Sequence, residues 1–223
     1  MRKNLYKGAA FILLSEFFFV LMGTQVRSIS AQLDNEMIVF FRNLIGLQII
    51  IPLVWRNGWS SLKTDKPQLH LLRGIAGVCA MYSFFYAIAN LPLANAMILK
   101  MSAPLFIPII AFFFLKEKLS YLIGFVILTG FIGVSLIIKP DINVVDKVSL
   151  IALAGGLFAA IAKSTVKHLT GTDKPATVVF YFATTALIVS TIPAYLSWQT
   201  PTQEQMMQLI LLGLLASGGQ FFM

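Results

Sequence analysis

Glu16, Arg42 and Lys100 are charged residues set inside long apolar stretches, and Arg27 stands at the end of one. A charge near the centre of a bilayer costs about 3 kcal/mol on insertion scales, so it normally faces a wet cavity or a partner. Glu16 lies about eight residues into its stretch, near half depth. Arg42 sits roughly 8 Å below the outer surface at 1.5 Å per residue, and Lys100 reaches a similar depth from the same side. Three cations above one carboxylate predict a vestibule that attracts a carboxylate, a sulfonium amino acid or a phosphate. Glu16 would then be a binder or proton carrier, with solute and proton competing for it. The bland alternative pairs Glu16 with Lys100 structurally, while Arg27 and Arg42 snorkel outward along their stems. Tyr82 and Tyr86 share one helix face at i, i+4 spacing, with hydroxyls suited to a polar cavity or rings suited to packing.

The elements that must position these residues are helices in lipid. A crossing helix needs about twenty mostly apolar residues, and eight such stretches fit the sequence: 8–28, 37–55, 71–91, 95–115, 121–138, 149–168, 176–197 and 206–223. The chain is 58% hydrophobic and 12% charged, with a mean hydropathy of +0.83, which predicts an all-α polytopic membrane protein. Glu16 interrupts the first stretch and argues against a cleaved signal peptide.

The net charge of +8 is distributed by side rather than gathered in a nucleic-acid patch. Arg2, Lys3 and Lys7 precede the first span; Arg56, Lys63, Lys66 and Arg73 surround the link between the second and third. Lys116 and Lys118 fill the next even-numbered link, and Lys167 and Lys174 flank the one after it. The other links hold Asp34 and Glu36, the uncharged run 90–95, Lys139 and Lys147 offset by Asp141 and Asp146, and Glu204. Short basic loops stay in the cytoplasm, so the N-terminus is expected inside, in a bacterial inner membrane. Trp55, Trp59 and Trp198 read as interfacial anchors. His70 and His168 read as interfacial too, and Pro104 and Pro108 should bend the fourth span.

The chain resembles itself at an offset of about 140 residues. Val26-Arg27-Ser28-Ile29-Ser30 matches Val166-Lys167-His168-Leu169-Thr170, Val39-Phe40-Phe41 matches Val179-Phe180-Tyr181, and Pro52 falls near Pro193. A repeat of five helices places its second copy upside down, the arrangement of many carriers that hold solute near the midplane. Residues 1–140 form the first copy. Residues 146–223 form about three helices of the second, which predicts a ten-helix parent and an incomplete repeat here.

Several segments resemble the drug/metabolite transporter superfamily, in particular its EamA-type carriers. They are Phe40-Phe41-Arg42, Leu72-Arg73-Gly74, Tyr82, Tyr86-Ala87, Leu91-Pro92-Leu93-Ala94-Asn95-Ala96 and Ser102-Ala103-Pro104-Leu105-Phe106. Phe114-Leu115-Lys116-Glu117-Lys118, Gly130-Phe131-Ile132-Gly133-Val134 and Lys139-Pro140 extend the likeness across the first repeat. The resemblance implies two inverted EamA units, a central cavity and transport of a small metabolite. The overall pattern is most similar to amino-acid and S-adenosylmethionine carriers. Small multidrug carriers of the superfamily also use a glutamate in their first helix, but the residues after Glu16 do not match their spacing.

Chemistry of other kinds finds little support. The sequence holds a single cysteine, Cys79, and no metal-spaced cluster, phosphate-cradling glycine loop or Ser-His arrangement at matching depth. No enzyme activity, cofactor, metal or nucleic-acid partner is therefore expected. The expected partners are lipid and a small solute bound by Glu16, Arg42, Tyr82, Tyr86 and Lys100, with coupling to protons or exchange. The alternative is a truncated or degenerate membrane protein that keeps the fold without transporting.

Overall fold

A computed structural model describes residues 2–58, 62–115, 120–138 and 147–222. Trp59, Lys116, Glu117, Lys118, Lys139, Pro140, Asp141 and Asp146 lie outside the described residues. Among those described the ordered elements are helices: α1 (Arg2–Ile29), α2 (Asn35–Asn57), α3 (Pro67–Asn90), α4 (Leu93–Lys100), α5 (Ala103–Leu115), α6 (Tyr121–Ile138), α7 (Lys147–Leu169), α8 (Pro175–Leu196) and α9 (Gln203–Phe222).

Among the described residues six stretches are long and apolar enough to cross a membrane: 8–29, 35–56, 67–90, 93–113, 147–169 and 175–196. α6 is a shorter apolar helix over Tyr121–Leu136. The expected fourth span consists of α4 and α5, interrupted at Met101 and Ser102. Pro104 causes the break. It has no N–H to give the Lys100 carbonyl four residues back, and its ring crowds that carbonyl. Ser102 repairs the junction, its hydroxyl and amide both donating to the Leu99 carbonyl at 2.7 and 3.0 Å.

The helices pack as a set of crossings. α3 lies against α7 and α8, α1 against α9, α2 against α8 and α9, and α4 and α5 against α7. The main core gathers Val26, Ile29, Met37, Ile38, Phe85, Ile88, Leu99, Leu209 and Leu212, all 2% exposed or less. Exposed apolar side chains such as Phe113, Tyr121, Leu136 and Ile192 cover the outside, as a lipid-facing surface requires.

Two crossings use a glycine as a hole. A Cβ added to Gly74 of α3 would lie 2.4 Å from Cγ2 of Thr185 on α8, and one on Gly213 of α9 would lie 2.5 Å from Cγ2 of Ile45 on α2. Without a hydrophobic driving force between helices in lipid, such close approach supplies the dispersion that holds them.

The turns after α1 and α7 are the same structure 140 residues apart. Ser30 N–H bonds Val26 O at 2.9 Å, and Thr170 N–H bonds Val166 O at 2.9 Å. Gln32 and Leu33 bond Ile29 O at 2.9 and 3.0 Å, as Thr172 and Asp173 bond Leu169 O at 3.0 and 2.8 Å. These turns lie at opposite ends of α8. Asp173, just before it, accepts from Thr64 at 2.8 Å, while Gln199, just after it, donates to Asp34 at 3.2 Å.

Candidate functional site

Lys100 closes the last turn of α4, where Pro104 interrupts the span. Its ammonium stands 3.9 Å from a Glu16 carboxylate oxygen on α1 and lies over the rings of Phe19 and Phe84, 4.6 and 5.1 Å from their centroids. Glu16, Phe19, Val20, Met97, Ile98, Lys100 and Met101 line a recess of about 150 Å³ at this break. The Glu16 side chain is 46% exposed and that of Lys100 24%.

Tyr82 and Tyr86 line a second recess of about 200 Å³ with Asn35, Ser83 and Ile151, near the start of α2 and the end of α3. The Tyr82 hydroxyl is buried without a hydrogen-bond partner, whereas its backbone carbonyl accepts from Asn35 Nδ2 at 3.2 Å. An unpaired buried hydroxyl is a group that an incoming polar solute could satisfy.

Arg42 is in neither recess. Its side chain, 5% exposed, turns into the seam of α2, α3 and α8, where Nη1 donates to Asn43 Oδ1 at 2.9 Å. Asn43 in turn reaches the Ala186 carbonyl and the Ser190 hydroxyl of α8, each at 3.4 Å. The Arg42 guanidinium stands 5.9 Å from the centre of the Phe182 ring.

The three cations therefore do not share one vestibule. Arg27 is committed to the end of α3, where Nη1 donates to the carbonyls of Ile88, Ala89 and Leu91. Those carbonyls have no intrahelical partner, so Arg27 acts as a C-terminal cap and complements the helix dipole. Lys100 and Glu16 are brought together, Tyr82 and Tyr86 are brought together, and Arg42 stands apart with a cation that the sequence placed elsewhere.

That cation is Arg73. It reads as a loop-flank charge when the third span is begun at residue 71, but α3 begins at Pro67 and carries it inward. Its guanidinium lies 4.3 Å from the Phe182 centroid. The signal that could have located it is Pro67: proline is favoured at the first helical position, and six residues then place Arg73 about 9 Å inside the helix.

His70 also departs from the interfacial expectation, being 1% exposed. Its Nε2 donates to Asp173 at 2.7 Å and its ring lies 4.4 Å from that of Tyr181, whose hydroxyl donates to Leu62 O at 3.0 Å. This cluster ties the start of α3 to the turn between α7 and α8. Burial alone would raise the Asp173 pKa. Hydrogen bonds from Thr64 and His70, with the charges of His70 and Lys66, outweigh it and hold the carboxyl below its ordinary value.

Among the described residues no group of three metal-ligating side chains gathers. The EamA-like transporter family matches residues 6–139. A pseudopaline exporter of Pseudomonas aeruginosa is 30% identical over 98% of this chain and 78% of its own length. An S-adenosylmethionine uptake transporter of Rickettsia felis is 27% identical over 99% and 75%, and a riboflavin transporter of Brucella anthropi is 30% identical over 75% and 59%. A solved crystal structure superposes with a TM-score of 0.64 at 18% identity, over 96% of this chain and 77% of the other, a likeness of fold alone. With apolar spanning helices and a family match over more than half its length, this chain belongs to the EamA-like transporters of the drug/metabolite transporter superfamily and is an integral membrane protein.

Proposed function

We propose that the protein is a secondary carrier of a small anionic or zwitterionic metabolite, working by alternating access between two oppositely oriented helical units. In this reading α1, α2, α3, the α4–α5 pair and α6 form the first unit, and α7, α8 and α9 belong to the second. Together they make eight spans with the N-terminus in the cytoplasm. The observation that carries the reading is the reciprocity of the packing. Under the exchange of α1 with α7, α2 with α8 and α3 with α9, the α3–α7 crossing becomes α9–α1, and α3–α8 becomes α9–α2. The glycine holes follow the same exchange: Gly74 against Thr185 becomes Gly213 against Ile45, with 45 and 185 separated by 140 positions and 74 and 213 by 139. Turns of identical bonding at opposite ends of α8 support the inverted sense.

The relatives named above include an exporter and an uptake transporter, with different solutes, so family membership fixes neither direction nor cargo. The proposed contact residues are Glu16 and Lys100 at the helix break, Tyr82 and Tyr86 at the outer recess, and Arg42 in the central seam. The Glu16 carboxylate is the proposed proton carrier. Counterflow in proteoliposomes loaded with a panel of amino acids, carboxylates and phosphate esters tests the function. Accelerated exchange of at least one acidic or zwitterionic solute, lost in Arg42→Ala, is expected. Exchange confined to cations, or unchanged in the variant, would refute it.

A further inference from the structure

Two arginines in one buried seam, both beside one aromatic ring, need a charge balance that the described residues do not supply. Arg42 and Arg73 both stand over Phe182, at 5.9 and 4.3 Å. Both Nε atoms are buried without a hydrogen-bond partner. Among the described residues, neither guanidinium has a carboxylate within ion-pair distance. A ring face returns less to each cation than its desolvation costs.

The backbone is shaped to hold this arrangement. A Cβ on Gly77, one turn beyond Arg73, would lie 2.9 Å from Arg73 Nη1 and 2.6 Å from the Phe182 ring. Gly77 is thus the slot in which guanidinium and ring edge meet. Positions 42 and 182 are 140 apart, the offset that relates the two turns and the two glycine partners. On the carrier reading above, Arg42 and Phe182 are counterparts that approach each other across the in-plane two-fold axis, which puts them near that axis, where carriers hold their solute.

We infer that Arg42 and Arg73 form a clamp for an oxyanion, a carboxylate or phosphate of the transported solute, with Phe182 filling the space between them until it arrives. The inference rests on the carrier reading above and narrows its substrate class to acidic solutes. The guanidinium fork matches a carboxylate or phosphate through two parallel N–H bonds, which an ammonium cannot reproduce. A solute with two negative charges neutralises both arginines. An amine carries the wrong sign and is excluded.

The test is thermal unfolding of the full chain in neutral detergent with succinate, inorganic phosphate or putrescine, and separately with phosphatidylglycerol. Succinate or phosphate should raise Tm by about 2–4 °C at saturating millimolar concentration, and putrescine should not. Arg42→Gln and Arg73→Gln should each abolish that shift, and Arg73→Lys should weaken the apparent affinity tenfold or more. Arg73→Leu should raise the basal Tm, because it removes an unpaired buried charge; a purely structural arginine would lower it. An oxyanion shift retained in Arg73→Gln, or no shift from any anion, would overturn the clamp. A shift from phosphatidylglycerol alone would assign the site to a lipid headgroup and overturn the solute assignment. Counterflow separates the two readings. Solute exchange that survives in Arg73→Gln leaves the carrier and removes the clamp, whereas an Arg73-dependent shift without any exchange leaves the clamp and removes the carrier.

Discussion

Replacing Gly74 or Gly213 by alanine perturbs the two crossings that the proposed repeat would make equivalent, and the structure sets the size of the effect. The new methyl would lie 2.4 and 2.5 Å from Thr185 Cγ2 and Cβ in one case, and 2.5 and 2.6 Å from Ile45 Cγ2 and Cβ in the other. Carbon atoms rest at about 3.5–4.0 Å, so each crossing must open by roughly 1 Å. The crowding atoms are branched at Cβ and cannot swing away without their helix. Overpacking of this kind costs about 1–3 kcal/mol, and the better helix propensity of alanine returns up to about 1 kcal/mol. Each variant should therefore lose about 1 kcal/mol, a several-fold fall in the folded-to-unfolded ratio. Moving the methyl to the other side of the crossing isolates the contact: Gly74→Ala with Thr185→Gly, and Gly213→Ala with Ile45→Gly, should show coupling of about 1 kcal/mol or more. The two sites share no partner, so the two glycine variants should add. Reversible unfolding in mixed detergent micelles, followed by tryptophan fluorescence, measures all of these. Stabilisation by both alanines, or zero coupling in both swaps, would refute the packing argument. A large effect at one glycine and none at the other would refute the equivalence of the two units.

Further expectations concern the charged residues. Glu16→Gln should abolish any pH dependence of exchange; exchange that keeps its pH profile would remove the proton-carrier role. Arg27→Ala leaves three terminal carbonyls of α3 without their donor and should cost about 1–3 kcal/mol in the same unfolding assay, with solute selectivity unchanged. Asp173→Asn should destabilise by about 1.5–3 kcal/mol at neutral pH by removing the charge that Thr64 and His70 bond. Because the folded-state pKa of Asp173 is depressed, its contribution is fully present above the unfolded value of about 3.9 and is lost as pH falls through the lower folded value. The gap between wild type and variant should thus persist at pH 5 and close below about pH 4; a gap unchanged at pH 3 would contradict the assignment.

Individual residues show which layer of information decided what. The helices were legible because lipid is a demanding solvent: a backbone crossing it must satisfy its own hydrogen bonds, so length and hydropathy declare them, though only six of the eight expected spans are long and apolar enough among the described residues. Pro104 announced the disturbance in the fourth span, and the break at Met101 and Ser102 follows from the carbonyl that proline leaves unpaired. The offset of 140 residues was visible in a few matched side chains because the turn after α1 and the turn after α7 need the same local bonding. Lys100 and Glu16 could be paired by depth alone.

Depth, however, is one coordinate of three. Arg27, Arg42 and Lys100 fall in the same half of the span pattern, yet one caps α3, one enters the seam with α8 and one lies over Phe19 and Phe84. The rotation of each helix about its own axis separates them, and that rotation is fixed by side chains on other helices, such as Thr185 against Gly74 and Ile45 against Gly213. Arg73 was hidden for the same reason. Its type and depth are those of a flanking charge, and only the approach of Phe182 from α8 and the slot at Gly77 turn it inward. The sequence by itself determined the solvent, the helices and the inventory of charged groups, because each depends on local composition. Tertiary packing decided which charges share a space, because that depends on contacts between residues more than a hundred positions apart.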